Sequence, residues 1–222
     1  MKLILALFLI FSLSFQIKAQ EGSVDLNQLV TELQKSSNHP DKMNLVWWIP
    51  NEFWIVSMQQ DDVSQAEVDE IIETLGKYSI FAVVEGTMSS FGAVTYYSEE
   101  DIRESIFLTG PDNDKYVPIK NSSVDPNTKM ILDVMKPMFK NLLGPMGENI
   151  HFYLFEGTNK NGDILLDPMS PGNFSINVID ESYGYRLPLG SLMAPKKCPF
   201  DDEVLNGAWK FCPWHGKELV EN

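Results

Sequence analysis

Both cysteines of this 222-residue chain lie close to its C-terminus, at Cys198 and Cys212, and His215, one of only three histidines, follows shortly after them. Residues 1–197 therefore contain no cysteine that could form a disulfide or bind a metal ion. This part of the chain must be stabilised by a hydrophobic core, and it is long enough to form one. We expect a main domain over residues 20–192 and a small C-terminal tail over residues 193–222.

The N-terminal residues have the layout of a secretory signal peptide. Lys2 supplies a positive charge, an apolar run extends over residues 3–15, and the small residue Ala19 ends a short polar stretch. This order of features is typical of export signals, and the apolar run is too short for a membrane span. We expect removal of residues 1–19 and export to a periplasm, a cell surface or the surrounding medium, with no membrane span in the mature protein.

The acidic composition narrows the choice of partners. The chain has 17 basic and 31 acidic residues, a formal net charge of −14. Removal of residues 1–19 takes away two lysines, which leaves 15 basic against 31 acidic residues and a net charge of −16. Such a protein repels phosphate backbones and anionic membrane surfaces. We therefore expect the partner to be an unidentified protein or small ligand, and not a nucleic acid.

Strand patterns outnumber helix patterns in the main domain. Helical spacing of apolar residues predicts helices over residues 23–35 and 64–76, the latter with a capping box formed by Ser64 and Glu67. A third helix is predicted to begin at Pro126 after the cap Asp125 and to kink near Pro137. Because the strands are not regularly interleaved with helices, the pattern favours a strand-rich α+β fold with two or three helices, of which a β-sandwich-like arrangement is one form.

The predicted strands are short and apolar. Residues 45–50 form the first, which residues 51–58 are expected to extend after a bend, and residues 151–157 and 163–167 flank an Asn-Gly turn typical of a hairpin. The remaining predicted strands are residues 79–88, 92–98, 102–108, 115–119, 174–180 and 183–189.

Adjacent tryptophans, Trp47 and Trp48, allow two interpretations. One ring could stack on a sugar or peptide, but large aromatic side chains on a strand more often belong to the core, and we predict the core. His151, at the start of a predicted strand, is expected to be a hydrogen-bonded structural histidine. Four methionines are expected to face the core and not to form a copper site: Met130, Met135, Met138 and Met146.

No catalytic motif is present in the main domain. The sequence has no nucleophile elbow, phosphate loop, dinucleotide fingerprint or H-E-x-x-H motif. We therefore predict an exported, non-catalytic binding or structural module whose ligand the sequence does not identify. The alternatives are a secreted hydrolase with unidentified catalytic carboxylates and a metal chaperone with a labile site in the tail.

The tail contains two similar segments, CPFDDEVL from Cys198 and CPWHGKEL from Cys212, offset by 14 residues. They resemble the double knuckle of a zinc ribbon, whose halves read C-P-x-C-G-x-x-L. The resemblance covers residues 196–219 only and implies a zinc site made of Cys198, Asp201, Cys212 and His215. It departs from the zinc-ribbon pattern at two ligand positions, where Asp201 and His215 replace cysteine, and Asp202 replaces the glycine of the first knuckle.

Two other interpretations of the tail stay open. An exported protein with a single cysteine pair usually oxidises it, and a Cys198–Cys212 disulfide would contribute about 3 kcal/mol in the chain-entropy model. Alternatively, the hairpin binds nothing and is held together by Trp209, Phe211 and Trp214. Metal binding and the disulfide exclude each other, because both use the same two sulfur atoms.

Overall fold

A computed structural model describes residues 24–59 and 63–222, and the predicted signal peptide over residues 1–19 lies outside them. The described residues form a mixed α+β fold. The α-helices are α1 (Leu26–Leu33), α2 (Asn51–Met58), α3 (Gln65–Leu75), α4 (Glu99–Ser105), α5 (Pro126–Leu143) and α6 (Pro145–Glu148). The strands of the main domain are β1 (Gln34–Lys35), β2 (Leu45–Ile49), β3 (Tyr78–Val84), β4 (Gly86–Met88), β5 (Val94–Tyr96), β6 (Phe107–Thr109), β7 (Lys115–Tyr116), β8 (His151–Glu156), β9 (Gly172–Val178) and β10 (Glu181–Leu187).

Two four-stranded antiparallel sheets form the centre of the main domain. Sheet I has the strand order β1-β2-β3-β8, and sheet II has the order β10-β9-β6-β7. Aromatic side chains join the two sheets: the ring of Trp48 lies 4.9 Å from that of Phe174, and the ring of Phe81 lies 6.3 Å from that of Tyr185. This face-to-face packing is sandwich-like, and β4 and β5 form a separate small hairpin beside it.

The two adjacent tryptophans connect three layers. Successive residues on a strand point to opposite faces of the sheet, so Trp48 faces sheet II while Trp47 faces the helices. The Trp47 ring lies 5.4 Å from Phe53 of α2 and 5.4 Å from Phe139 of α5. Trp47 is 5 % exposed and Trp48 is 1 % exposed, which confirms the core interpretation and leaves neither ring free to stack on a ligand.

Several predicted elements are present with nearly the expected bounds. The helix α3 begins after the capping box formed by Ser64 and Glu67 and ends at Gly76. The helix α5 begins at Pro126, with the side chain of Asp125 accepting hydrogen bonds at its N-terminus. It continues as one helix through Pro137 to Leu143.

Other predictions were wrong. Residues 51–58 form the helix α2 and do not extend β2; apolar residues lie all around this segment, so spacing does not distinguish a helix from a strand. Residues 99–105 form the helix α4, which begins with a capping box between Ser98 and Asp101 that the prediction of a strand over 102–108 overlooked. Residues 163–167 form turns and contribute only one isolated bridge, Thr158 to Ile164.

Two of the four methionines of α5 and α6 differ from expectation. Met135 and Met146 pack against the core, but Met130 is 62 % exposed and Met138 is 64 % exposed. These two lie eight residues apart and so share one solvent-facing stripe of the helix. No helix among the described residues is long and apolar enough to cross a membrane.

The tail forms a separate small unit. Its strands β11 (Lys196–Lys197), β12 (Val204–Leu205) and β13 (Val220–Glu221) make a three-stranded sheet with the order β12-β11-β13. Its buried cluster consists of Cys198, Cys212 and Leu219, with Leu205 packed against it. The tail aromatics lie outside this cluster and are exposed, which corrects the interpretation that they hold the hairpin together: Trp209, Phe211 and Trp214.

Candidate metal centre

The two cysteine segments of the tail fold as matching turns. In each turn, the cysteine N–H donates to the carbonyl oxygen five residues later, and the N–H four residues after the cysteine donates back to the cysteine carbonyl. In the first turn these bonds are Cys198 to Glu203 at 2.9 Å and Asp202 to Cys198 at 2.9 Å; in the second they are Cys212 to Lys217 at 2.7 Å and Gly216 to Cys212 at 2.9 Å. The 14-residue offset in the sequence is therefore also a structural repeat.

The turns bring the side chains of both segments to one point. The Nδ1 atom of His215 lies 3.4 Å from the Sγ atom of Cys198 and 3.5 Å from the Sγ atom of Cys212. These three atoms all lie within 4.8 Å of one another. The carboxylate of Asp201 approaches the same atom, with its Oδ2 3.7 Å from Nδ1 of His215. Three of the four residues that the zinc-ribbon resemblance implies, Cys198, Cys212 and His215, thus form one compact group, and Asp201 lies at its edge.

Burial limits what the sulfur atoms can do. Cys198 is 0 % exposed and Cys212 is 2 % exposed, and both are free thiols. A nucleophilic cysteine has to reach its substrate, so these positions do not suit covalent catalysis. The imidazole of His215 is partly exposed and is covered on one side by Phe200, whose ring centroid lies 4.4 Å away.

The protonation of the cluster follows from its surroundings. Burial raises the pKa of the Cys198 thiol, and the side chains of Asp201 and Cys212 raise it further, while the backbone N–H groups of Phe200 and Asp201 lower it. The hydrogen bond from the Cys198 side chain lowers the pKa of Asp201, which therefore stays a carboxylate. Backbone N–H groups also point at sulfur in the second turn, where the His215 N–H lies 3.4 Å from Sγ of Cys212.

The residues Cys198, Cys212 and His215 form a group that could hold a metal ion. Thiolate, imidazole and carboxylate are all established ligands of metal ions such as zinc. In a tetrahedral zinc site, metal–ligand bonds of about 2.3 Å to sulfur and about 2.0 Å to nitrogen place sulfur and nitrogen about 3.5 Å apart. The two sulfur–nitrogen distances of this cluster match that separation.

A carboxylate links the tail to the main domain. Glu32 of α1 accepts hydrogen bonds from the backbone N–H groups of Gly190, at 3.1 Å, and Ser191, at 2.9 Å. It also accepts a 3.3 Å hydrogen bond from the side-chain amide of Asn206 in the tail. The tail is therefore held against the first helix through Asn206 and does not extend freely from the protein.

Sequence reasoning missed a second polar cluster, which lies between the two sheets. Tyr183 donates to Glu181 at 2.6 Å and lies 3.2 Å from Glu85, and Asn44 donates to Tyr183 at 2.7 Å. Glu85 is only 1 % exposed, and burial raises its pKa to about 7. The available signal was a carboxylate directly after the apolar run of β3, where a charge is unexpected.

The burial of Glu85 also limits what this cluster can do. It is a pair of carboxylates bridged by a hydroxyl group, which in an open cleft would suit acid–base catalysis. Since Glu85 is covered by protein, a substrate cannot reach it.

No family model matches the chain, and neither a curated protein nor a solved structure matches it.

Proposed function

We propose that residues 196–219 bind one zinc ion through Cys198, Asp201, Cys212 and His215. In this proposal the ion is a structural staple in an exported, non-catalytic binding or structural protein. The observation that carries the proposal is the convergence of two matching turns on the Nδ1 atom of His215, at 3.4 Å and 3.5 Å from the two sulfur atoms. Two sulfur ligands and one imidazole form a donor set that favours zinc over the oxygen-seeking ions calcium and magnesium.

The size of the tail supports a stabilising role for the metal. The buried cluster of the tail contains only Cys198, Cys212 and Leu219, with Leu205 at its edge. Such a small apolar cluster cannot offset the conformational entropy of about 30 ordered residues. Small units of this kind are usually stabilised by a metal ion or a disulfide, and metal binding then contributes directly to folding.

The donor set also supports a structural and not a catalytic metal. Four protein ligands close a tetrahedral zinc site, whereas catalytic zinc keeps one position open for water or substrate. The buried sulfur atoms leave access only from the side of His215 and Asp201.

A metal chaperone is the alternative, and it requires an ion that exchanges rapidly. Slow exchange of zinc with a competing chelator would support the structural staple, and fast exchange would support the chaperone.

A secreted hydrolase was the other alternative. The buried position of Glu85 argues against the pair of Glu85 and Glu181 as the catalytic site of such a hydrolase.

Export itself is proposed from the layout of residues 1–19, and N-terminal sequencing of the natively expressed protein tests it. A mature N-terminus near Ala19 is expected, and an intact Met1 in a cytoplasmic product would contradict export.

The deciding experiment measures metal and free thiols on one sample. The mature protein is purified from its own compartment without reductant or chelator. We expect about one zinc ion per chain, and thiols that react only after chelation or unfolding. A sample without metal and without free thiols would establish the Cys198–Cys212 disulfide instead. Freely reactive thiols without metal would contradict both staples.

Single substitutions then identify the ligands. His215→Ala should weaken zinc retention more than Asp201→Ala, because water can replace a carboxylate more easily than an imidazole in this donor set. The matched control is His39→Ala, which removes an exposed histidine of the main domain. Equal zinc retention in the His215→Ala and His39→Ala variants would exclude His215 as a ligand.

A further inference from the structure

A pocket of about 380 Å³ lies beside β8, the edge strand of sheet I, and is covered by α5. Its apolar wall consists of buried side chains from β8, from α5 and from the residue before the Asp125 cap: Val124, Leu132, Phe152 and Leu154. Pockets of this size with an apolar wall and a few polar groups are typical of small-ligand sites.

Both carboxylates at this pocket are paired with a cation, but one of its lysines is not paired with a carboxylate of the described residues. Arg103 binds Glu99 at 2.6 Å, and Lys136 binds Asp133 at 2.9 Å, so the carboxylates of the pocket already have cationic partners. Lys129 is half-buried and makes no ion pair with any of the described residues. If Arg103, the partner of the lining residue Glu99, is counted, three cations stand against two carboxylates at the pocket, and the positive charge of Lys129 is left over, although the protein as a whole has a net charge of −14.

The imidazole of His151 is the second uncommitted group. It is half-buried and lines the pocket, and its side chain makes no hydrogen bond with the described residues. This corrects the expectation of a hydrogen-bonded structural histidine. Burial lowers the pKa of His151, and Lys136 and Arg103 lower it further while Glu99 raises it. At neutral pH the ring is therefore uncharged and offers one N–H donor.

We propose that this pocket binds a small monocarboxylic acid with an apolar body. Lys129 and His151 both line the pocket, and in this proposal the ligand carboxylate binds to the Lys129 ammonium group and accepts a hydrogen bond from the His151 N–H group. The apolar part of the ligand covers Leu132 and Leu154. A single uncompensated cation matches a single negative charge. A phosphate dianion carries a second negative charge, for which the described residues of the pocket offer no further unpaired cation.

This proposal goes beyond the zinc staple and does not depend on it. The pocket belongs to the main domain, and its lining includes no residue of the tail. Zinc content is measured alongside ligand binding, so a failure of one proposal is distinguishable from a failure of the other.

Hexanoate is the probe, and binding to the full mature protein is followed by calorimetry and by the NMR signals of His151. We expect saturable binding of hexanoate and much weaker binding of hexylamine, hexanol and inorganic phosphate. Lys129→Gln should weaken hexanoate binding about tenfold, because a charge-assisted hydrogen bond is lost. The control is Lys140→Gln on the same helix, whose lysine pairs with Glu148 at 2.7 Å outside the pocket.

A second variant tests the histidine. His151→Leu keeps much of the side-chain volume and removes the N–H donor, so it should weaken hexanoate binding while hexanol binding stays the same. Three results would each overturn the proposal: no saturable binding of hexanoate at millimolar concentration, equal binding of hexylamine, or Lys129→Gln and His151→Leu variants that bind hexanoate as the unmodified protein does.

Discussion

Asp202 and Gly216 occupy equivalent positions in the two turns of the tail, and their φ angles are +58° and +60°. Each is the fourth residue after its cysteine and donates its N–H to the cysteine carbonyl. This left-handed conformation suits glycine and is unfavourable for most other residues. The first turn therefore carries a conformational cost that the second turn lacks.

Asp202→Gly is expected to relieve that cost. The substitution should stabilise the first turn by about 1 kcal/mol, which corresponds to about a fivefold gain in zinc affinity if metal binding and turn formation are coupled. A competition titration with a chromophoric chelator measures the gain. An unchanged or weaker affinity would show that the Asp202 side chain contributes more than its backbone costs.

Gly216→Ala tests the same position in the second turn. A Cβ atom at Gly216 would meet nothing within 4 Å, so any loss reflects the backbone conformation alone. We expect a loss of about 1 kcal/mol, seen as about fivefold weaker zinc binding. An alanine variant that binds zinc as tightly as the unmodified protein would contradict the equivalence of the two turns.

Glu85 should make the stability of the main domain depend on pH. Its pKa rises from 4.5 to about 7, chiefly through burial, while Asn44, Tyr183 and Lys42 oppose the rise and Glu181 adds to it. The folded state therefore binds the proton more tightly than the unfolded state does. The contribution of protonated Glu85 to the stability of the folded state is complete below pH 4.5 and is lost as the pH rises through 7.

Glu85→Gln removes this ionisation. At pH 8 the variant should be more stable than the unmodified protein by about 2 kcal/mol, and its stability should fall less between pH 5 and about 8. The pKa of the neighbouring Glu181 shifts the other way. Burial raises it, but hydrogen bonds from Tyr183 and Ser37 and the charge of Lys42 outweigh burial, so the pKa is lowered and the folded state favours the ionised form of Glu181. Urea unfolding over the pH range measures both effects, and Glu70→Gln, at an exposed position of α3, is the control.

Trp48→Ala should be among the most destabilising single substitutions. The side chain is 1 % exposed and packs between the two sheets, so its removal leaves a cavity and should cost about 3–5 kcal/mol of unfolding free energy. Phe91→Ala is the matched control, because Phe91 is 97 % exposed and should be nearly neutral. Chemical denaturation of both variants makes the comparison, and a near-neutral Trp48→Ala would contradict the core role.

Glu32→Ala should loosen the tail while leaving the sheets intact. It removes the acceptor for Gly190, Ser191 and Asn206, and the unsatisfied donors should cost about 2 kcal/mol. Hydrogen exchange should therefore accelerate over residues 190–222 and stay unchanged in β2 and β3. Thr31→Ala, at an exposed neighbouring position of the same helix, should change neither region.

Local signals in the sequence predicted the elements that depend on local chemistry. The capping residues Ser64 and Asp125 mark the starts of α3 and α5, and the repeated Cys-Pro segments mark the two turns of the tail. The candidate ligands came from the resemblance of these segments to a zinc ribbon, and the structure brings three of them, Cys198, Cys212 and His215, into one group.

Features that depend on distant contacts were not predictable in this way. The segment of α2 is apolar on all sides, so only its packing against Trp47 determines its conformation. Glu85, Glu181 and Asn44 come from different parts of the chain, and sequence spacing gives no indication that they meet. The pocket at His151 likewise forms only when α5 covers the edge of sheet I.

The hydrogen bond between Glu32 and Asn206 has a consequence for the order of assembly. These residues are 174 positions apart, so a ribosome or a translocation channel that delivers the N-terminus first must release almost the whole chain before they can meet. Contacts with such long sequence separation slow folding, because a large loop has to close first. The tail therefore docks late, and a chain truncated before residue 206 leaves α1 without its final partner.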